Sequence, residues 1–153
     1  MAYQHTVLAL IRRNEHFLLV KHRGPQVLSW WLPGGVVKPG ETLVAALHRE
    51  LLEETGLSVE GNPHLAFVVQ LFRQVESGLQ DDGFVFHFSC EVSGQLCPHD
   101  PDGLVLSTEW RDEKEVLDLL RVHAWYECEP IRRWLSGEAE SGSVYTQQVG
   151  NYK

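Results

Sequence analysis

The sequence predicts an α+β domain in which helices pack on the faces of a mixed β-sheet. Segments with the apolar runs or period-two alternation of strands outnumber those with helical periodicity, and they follow one another in hairpin-like succession. One helical segment, residues 42–55, interrupts this succession early in the chain. Strands mixed with helices in this way typically form a sheet whose faces the helices cover.

Length and composition favour one ordinary globular domain. The 153 residues, 43% of them hydrophobic, suffice for one core and are too few for two comfortable ones, so we expect a single domain over residues 1–153. A net charge of −8 argues against a nucleic-acid polymer as partner, because phosphates require a basic surface. The three cysteines form no C-x-x-C pair, which favours a reduced, cytoplasmic protein. No apolar run approaches the ~18 residues of a membrane span, and we expect no membrane association.

The elements up to the first helix are predicted as follows. Residues 6–23 form a hairpin of two apolar strands with its turn at Arg13-Asn14-Glu15. A loop with a short extended piece follows and ends at Pro33-Gly34-Gly35. In the helix, Val44, Leu47 and Leu51 have the spacing of one apolar face, with Thr42 as N-cap and Gly56 as the C-terminal stop.

The second half of the chain contains more strands and two further helices. Apolar segments predict strands at residues 64–76 and 84–92, separated by the turn-forming segment SGLQDDG, and a third strand at 104–110 after a polar loop at 93–103. Helices are predicted over residues 113–121 and, as a short one, from Pro130 onward. The polar tail, residues 137–153, receives no assignment.

Three glutamates, Glu50, Glu53 and Glu54, lie on one side of the predicted helix in its last turns. Each like-charged pair costs about 0.2–0.5 kcal/mol, and opposition to the helix dipole adds ~0.3–1 kcal/mol. No lysine between Lys38 and Lys114 relieves this repulsion. The cluster is either a solvated charged face or a cation site, and hard oxygen ligands suit Mg²⁺ or Mn²⁺. Zinc is disfavoured because no histidine or cysteine has metal-ligand spacing there.

Glycines in the loop before this helix support the cation site. The pairs Gly34-Gly35 and Pro39-Gly40 predict a sharply turning loop whose backbone can approach a ligand or a metal closely. Gly35 is therefore a candidate for contact with substrate as well.

Residues 35–57 match, at every fixed position, the signature G-x5-E-x7-R-E-U-x-E-E-x-G-U, where U is a bulky aliphatic residue. In this stretch the chain resembles the Nudix hydrolases. The resemblance implies an α/β/α sandwich and the cleavage of a nucleoside diphosphate linked to another moiety, through attack of water on phosphorus. The matching residues are Gly35, Glu41, Arg49, Glu50, Leu51, Glu53, Glu54, Gly56 and Leu57.

The resemblance also implies roles for individual residues. Glu50 and Glu54 look like the principal ligands of Mg²⁺, for which Mn²⁺ can substitute. Glu53 looks like a ligand or a water-mediated partner, and the backbone carbonyl of Gly34 like a further ligand.

The resemblance makes Arg49 and Glu41 the pair that orients the glutamates, since an arginine holds a carboxylate bidentately. The general base is open between a glutamate of the helix and a carboxylate of a distant loop. The helix offers Glu50 or Glu53. The distant candidates are Glu109, ranked first because it precedes Trp110, and Asp81, Asp82, Asp100 and Asp102.

Substrate contacts are expected from the segment ahead of the glycine loop. Lys21 and Arg23 end the second strand, where either one meets a phosphate or serves as ordinary surface charge. Of Trp30 and Trp31, we expect one to pack in the core and the other to stack on a base.

The substrate expected from a chain of this size is a nucleoside triphosphate or a small nucleotide conjugate. Two alternatives on the same fold are a noncatalytic nucleotide-binding regulatory domain and a prenyl diphosphate isomerase. The isomerase would need an altered signature and a reactive cysteine, whereas Cys90 lies in an apolar strand. A homodimer is plausible, with residues 142–153 as a contact.

Overall fold

The computed structural model describes residues 4–24, 28–121 and 125–149. In chain order the strands are β1 (Thr6–Leu10), β2 (Arg12–Arg13), β3 (His16–Arg23), β4 (Leu28–Trp31), β5 (Gly34–Val36), β6 (Ser58–Val75), β7 (Gly78–Ser93), β8 (Val105–Asp112) and β9 (Ser143–Val149). The helices are α1 (Leu43–Thr55), α2 (Glu113–Leu120) and α3 (Trp125–Leu135). None of these helices is long and apolar enough to cross a membrane.

The strands form two sheets. The first is mixed, with the order β5-β1-β7-β6-β9, and its β1–β7 and β6–β9 pairs are parallel. In the second sheet β3 pairs antiparallel with β2, β4 and β8. The predicted α+β class with a mixed sheet is confirmed.

Strands β1 and β3 are buried on both faces, which places the sheets between α1 and the other two helices. Alternate residues Val7 and Ala9 of β1 pack in one core with Leu47 of α1. Their neighbours Leu8 and Leu10 pack in a second core, to which α2 and α3 contribute Val116, Leu120 and Ile131. Burial on both faces explains why β1 and β3 have continuous apolar runs rather than alternation.

The predicted hairpin over residues 6–23 is correct at its turn only. Asn14 adopts a left-handed φ of 56°, and Arg12 and Arg13 pair with the start of β3. β1 does not pair with β3, because it lies in the other sheet between β5 and β7. The sequence of a strand buried on both faces does not indicate which strands it pairs with. The prediction that β1 pairs with the next strand in the sequence was therefore wrong.

The first helix agrees with its prediction at both ends. The Thr42 hydroxyl accepts a hydrogen bond from the Ala45 amide at 3.1 Å, and Gly56 ends the helix with φ 76°. The predicted apolar face is wrong at Val44, which is 43% exposed. The buried face is carried by Leu47 and Leu51, together with Ala46, Glu54 and Thr55.

The later elements extend further than predicted. β6 begins at Ser58 and β7 at Gly78, so most of the segment SGLQDDG is strand rather than turn. α3 begins at Trp125, and Pro130 lies inside it. An internal proline forfeits a hydrogen bond, and its neighbour Ile131 on the same helix is completely buried.

The tail forms β9, which pairs in parallel with β6 of the same chain. Its residues are mostly polar and form no apolar run, so the sequence alone gave no signal for a strand here. Val144 on this strand is 65% exposed. The homodimer stays a prediction, and residues 150–153 of the expected contact lie outside the described residues.

The loop between β7 and β8 is docked on the C-terminal end of α1. The amides of Cys97 and His99 donate to the carbonyls of Thr55 and Glu53 at 2.9 and 2.7 Å. The Thr108 hydroxyl of β8 donates to the Glu54 carbonyl at 2.7 Å. These donors satisfy carbonyls that the end of a helix leaves without partners.

Replacement of Gly56 by alanine should be strongly destabilising. A Cβ atom there would lie 2.5 Å from the Cys97 carbonyl oxygen, in a backbone conformation with φ +76°. We expect the free energy of unfolding to fall by ~3–4 kcal/mol, from left-handed strain plus the clash with backbone.

The matched control is Gly61→Ala, because Gly61 has φ +63° and no atom within 4 Å of a new Cβ. It should lose only about 1–2 kcal/mol, from left-handed strain alone. Urea unfolding of both variants measures the difference. Equal losses would show that the docked loop does not constrain Gly56.

Candidate active site

A cavity of about 850 Å³ lies between α1, the glycine loop with β5, and the loop docked on α1. Six carboxylates line it, against two side chains with a fixed positive charge, Lys38 and Arg49. The carboxylates are Glu41, Glu50, Glu53, Glu54, Asp100 and Asp102. The cavity is therefore strongly acidic.

Arg49 is the centre of the charged network. Its guanidinium donates to both oxygens of Glu41, at 2.8 and 2.9 Å, and to Glu50 Oε1 at 2.6 Å. It also donates to the Val36 carbonyl at 3.1 Å and lies 3.5 Å from Glu53. The bidentate bond to Arg49 lowers the pKa of Glu41 to about 2. Glu41 thus holds the Arg49 guanidinium in one orientation, and the guanidinium in turn holds the Glu50 carboxylate.

Glu54 is held by both of its oxygens. It is only 5% exposed, and burial raises the pKa of its carboxyl despite two hydrogen bonds that act in the opposite direction. The Gly34 amide donates to Oε2 at 2.8 Å, and His22 Nε2 lies 3.2 Å from Oε1. Only glycine fits at position 34, since a Cβ atom there would lie 2.0 Å from the Val7 carbonyl oxygen.

Glu50 lies against the backbone of Gly35. A Cβ atom at position 35 would be 2.5 Å from Glu50 Oε1, so the glycine provides the space that this carboxylate fills. Burial raises the pKa of Glu50, and the repulsion from Glu53 and Glu54 acts in the same direction. Two of the helix carboxylates are therefore incompletely compensated.

The donor set of this wall fits a hard divalent cation. Glu50, Glu53 and Glu54 supply carboxylate oxygens beside the glycine loop. Ionisation of the buried Glu54 and the half-buried Glu50 calls for positive charge. Among the described residues, no three His, Cys, Asp or Glu side chains converge as a ready metal group. The side chains are instead engaged with Arg49, His22 and the Gly34 amide.

Asp100 and Asp102 reach the cavity from the docked loop. The Asp100 carboxylate accepts hydrogen bonds from the backbone amides of Leu104, Val105 and Asp102 at 2.6, 2.9 and 3.2 Å. Burial alone would raise its pKa, but these amides lower it on balance. Asp100 therefore organises the loop, which leaves Asp102 as the less engaged carboxylate.

The other predicted bases lie elsewhere. Glu109, on β8, accepts from the Ser107 hydroxyl at 3.0 Å and lies 3.4 Å from Arg111, outside the lining of this cavity. Asp82 pairs with Arg73 at 2.9 Å and Asp81 accepts from the Gly83 amide, both on the long β6–β7 hairpin. The structure brings together the helix glutamates with Asp100 and Asp102.

The predicted substrate contacts on β3 and β4 also lie outside this cavity. Lys21 Nζ is 5.4 Å from the centre of the Trp30 ring, and Arg111 approaches the same ring at 5.2 Å. Arg23 is exposed at the end of β3. Trp30 and Trp31 are both half-buried against the same core, so the expected division of roles between them is not seen.

His22 is the cavity residue whose contact sequence reasoning missed. His22 lines the cavity, whereas Lys21 and Arg23 do not. Strand alternation separates His22 from these two neighbours but does not indicate which of them faces the cavity, because β3 is buried on both faces.

Comparison with known proteins identifies the family of this chain. The sequence model described as the NUDIX domain matches residues 2–133. The phosphatase NudJ of Escherichia coli strain K12 is 29% identical over 137 residues, which cover 87% of this chain and 84% of NudJ.

Solved structures agree in fold. The MutT protein of Bacillus halodurans matches with a TM-score of 0.72 at 22% identity, over 97% of this chain and 91% of that one. The MutT NUDIX hydrolase of Burkholderia pseudomallei matches with a TM-score of 0.64 at 26% identity, over 86% and 99%. The chain therefore belongs to the Nudix family and is a hydrolase that acts on phosphoanhydride bonds.

Proposed function

We propose that this chain is a Mg²⁺-dependent pyrophosphohydrolase, in which Mn²⁺ can replace Mg²⁺. Its substrate is a nucleoside diphosphate linked to another moiety, as in a nucleoside triphosphate or a small nucleotide conjugate. The carrying observation is the buried Glu54 beside Glu50 and the Gly34 backbone, on the wall of an acidic cavity. Such charge is tolerable there when a cation balances it.

Glu50, Glu54 and the Gly34 carbonyl would hold the cation, with Glu53 as a further ligand or as a partner through water. When bound, it neutralises charge on the phosphate oxygens and activates a water molecule. Arg49, fixed by Glu41, keeps Glu50 in place at 2.6 Å. Lys38, at the rim of the cavity, is placed to contact a phosphate.

The base that takes the proton from the attacking water is proposed to be Glu53 or Asp102. Glu53 has one weak contact, 3.5 Å from Arg49, and Asp102 is exposed in the same cavity. Asp100 is less suitable because backbone amides engage its oxygens. Glu109 is dropped from the proposed site, together with Lys21, Arg23 and Trp30, because none of them lines the cavity.

The setting proposed for this activity is the cytoplasm. Cys90 and Cys97 keep free thiols, which fits a reducing compartment. A small nucleotide also fits the chain better than a nucleic-acid polymer, because the cavity is acidic and the net charge is −8.

The proposal is tested by phosphate and pyrophosphate release from a nucleotide panel, with Mg²⁺, with Mn²⁺ and with chelator. The panel contains canonical and oxidised nucleoside triphosphates, ADP-ribose, sugar nucleotides and dinucleoside polyphosphates. We expect metal-dependent turnover of one class. Binding of nucleotides without turnover across the panel would instead support a noncatalytic regulatory domain.

Glu54→Gln separates the catalytic role of Glu54 from its effect on stability. We expect turnover to fall at least ~100-fold through loss of a ligand. Without metal, the melting temperature should equal or exceed that of the wild type, because an amide removes a buried charge of raised pKa.

Added Mn²⁺ should raise the melting temperature of the wild type and not that of Glu54→Gln, since only a bound ligand stabilises the fold. Thermal unfolding with and without Mn²⁺ measures this difference. Undiminished turnover in a folded Glu54→Gln variant would refute the ligand assignment.

Gly35→Ala should disturb the site without disturbing the fold. A Cβ atom there would displace the end of the Glu50 side chain, which is flexible, whereas Gly34→Ala would strike the backbone of β1. We expect turnover to fall on the order of tenfold or more, as for other groups that position a metal site. The urea midpoint should be close to that of the wild type, and unchanged kinetics would contradict the close packing of Glu50 on Gly35.

A further inference from the structure

We propose that His22 is a positioning residue, which holds the Glu54 carboxylate in the orientation needed for cation binding. The inference rests on the proposed function of this cavity and adds a residue from outside the helix and its loop. His22 reaches Glu54 across the sheet, with Nε2 at 3.2 Å from Oε1.

His22 provides the second of two contacts that hold the Glu54 carboxylate. The Gly34 amide engages Oε2 at 2.8 Å, and His22 is the described side chain at the other oxygen. Glu54 is 5% exposed, and its long side chain has several staggered rotamers that would direct the carboxylate differently. Contacts at both oxygens select one of them.

The fold also fixes His22 itself. Its backbone pairs with Ser29 of β4 on one edge and with Val105 of β8 on the other. The register of β3 and β8 shifts between Lys21 and His22, as in a β-bulge, which is a device that redirects side chains near functional sites. The imidazole lies beside the Trp31 ring, with the ring centres 6.3 Å apart.

The chemistry of the contact suits a metal ligand. An ionised carboxylate only accepts hydrogen bonds, so the N–H of His22 that faces it must be at Nε2. A single N–H donor at one oxygen orients the carboxylate and leaves its remaining lone pairs available to a cation. The contrast within the same cavity is Glu41, whose two oxygens are both bound by the Arg49 guanidinium.

Two substitutions at His22 test the proposal, with Mn²⁺ alone as the probe. His22→Leu keeps bulk beside Trp31 and removes the donor, whereas His22→Gln keeps an N–H donor at similar reach. His16→Leu is the control, because His16 is exposed at the far end of the same strand. The affinity for Mn²⁺ is measured on the full chain by titration calorimetry or from the electron paramagnetic resonance signal of free Mn²⁺.

We expect His22→Leu to weaken Mn²⁺ binding about tenfold, as removal of other groups that orient metal ligands does. His22→Gln should stay within about threefold of the wild type, and His16→Leu should be unchanged.

A merely structural role for His22 would lower the melting temperature and leave the Mn²⁺ affinity of the folded protein unchanged, and that result would overturn the inference. Loss of affinity in His22→Gln equal to that in His22→Leu would overturn it as well. Wild type that binds Mn²⁺ but hydrolyses no nucleotide would refute the proposed function, whereas the affinities of the variants would still decide the role of His22.

Discussion

The burial of like charges at the end of α1 is the constraint on which the rest of the site depends. Glu50 and Glu54 are ionisable groups withdrawn from water, next to one another and at the negative end of a helix dipole. A helix with this sequence is stable only if its neighbours supply compensation. Arg49 compensates Glu50, and the Gly34 amide and His22 support Glu54. In the proposed function, a cation would supply the positive charge that is still missing.

The same constraint explains why the backbone comes so close to the helix. The glycine loop lies near enough for the Gly34 amide to donate to Glu54 and for Gly35 to face Glu50. A Cβ atom would strike the backbone at position 34 and would displace the end of the Glu50 side chain at position 35. At the end of the helix, the docked loop donates amides to the carbonyls of Glu53 and Thr55. Backbone amides at fixed positions thus stabilise the negative end of α1 and its carboxylates, a role that mobile charged side chains have on an ordinary protein surface.

The sequence predicted well what depends on neighbours along the chain. The helix, its caps and the cluster of glutamates follow from spacing over a few residues, and all were placed correctly except for the exposed Val44. Contacts between distant segments were not predictable in this way. The pairing of β1 with β7, the addition of β9 to β6 and the approach of His22 to Glu54 all depend on how the sheets assemble. Glu109 was ranked by its adjacency to Trp110, but orientation on β8 rather than adjacency decides what it contacts.

The docking of the loop between β7 and β8 limits how this protein can diversify. One short segment both caps the helix and carries Asp100 and Asp102 into the cavity, so a change in its length would disturb two functions at once. Insertions and deletions should therefore be rare between Cys97 and Asp102. The opposite rim is different, since Gly40 has open space around it and Lys38 is exposed. Substitutions and insertions that change the substrate, in nature or in the laboratory, should therefore be tolerated best on that rim.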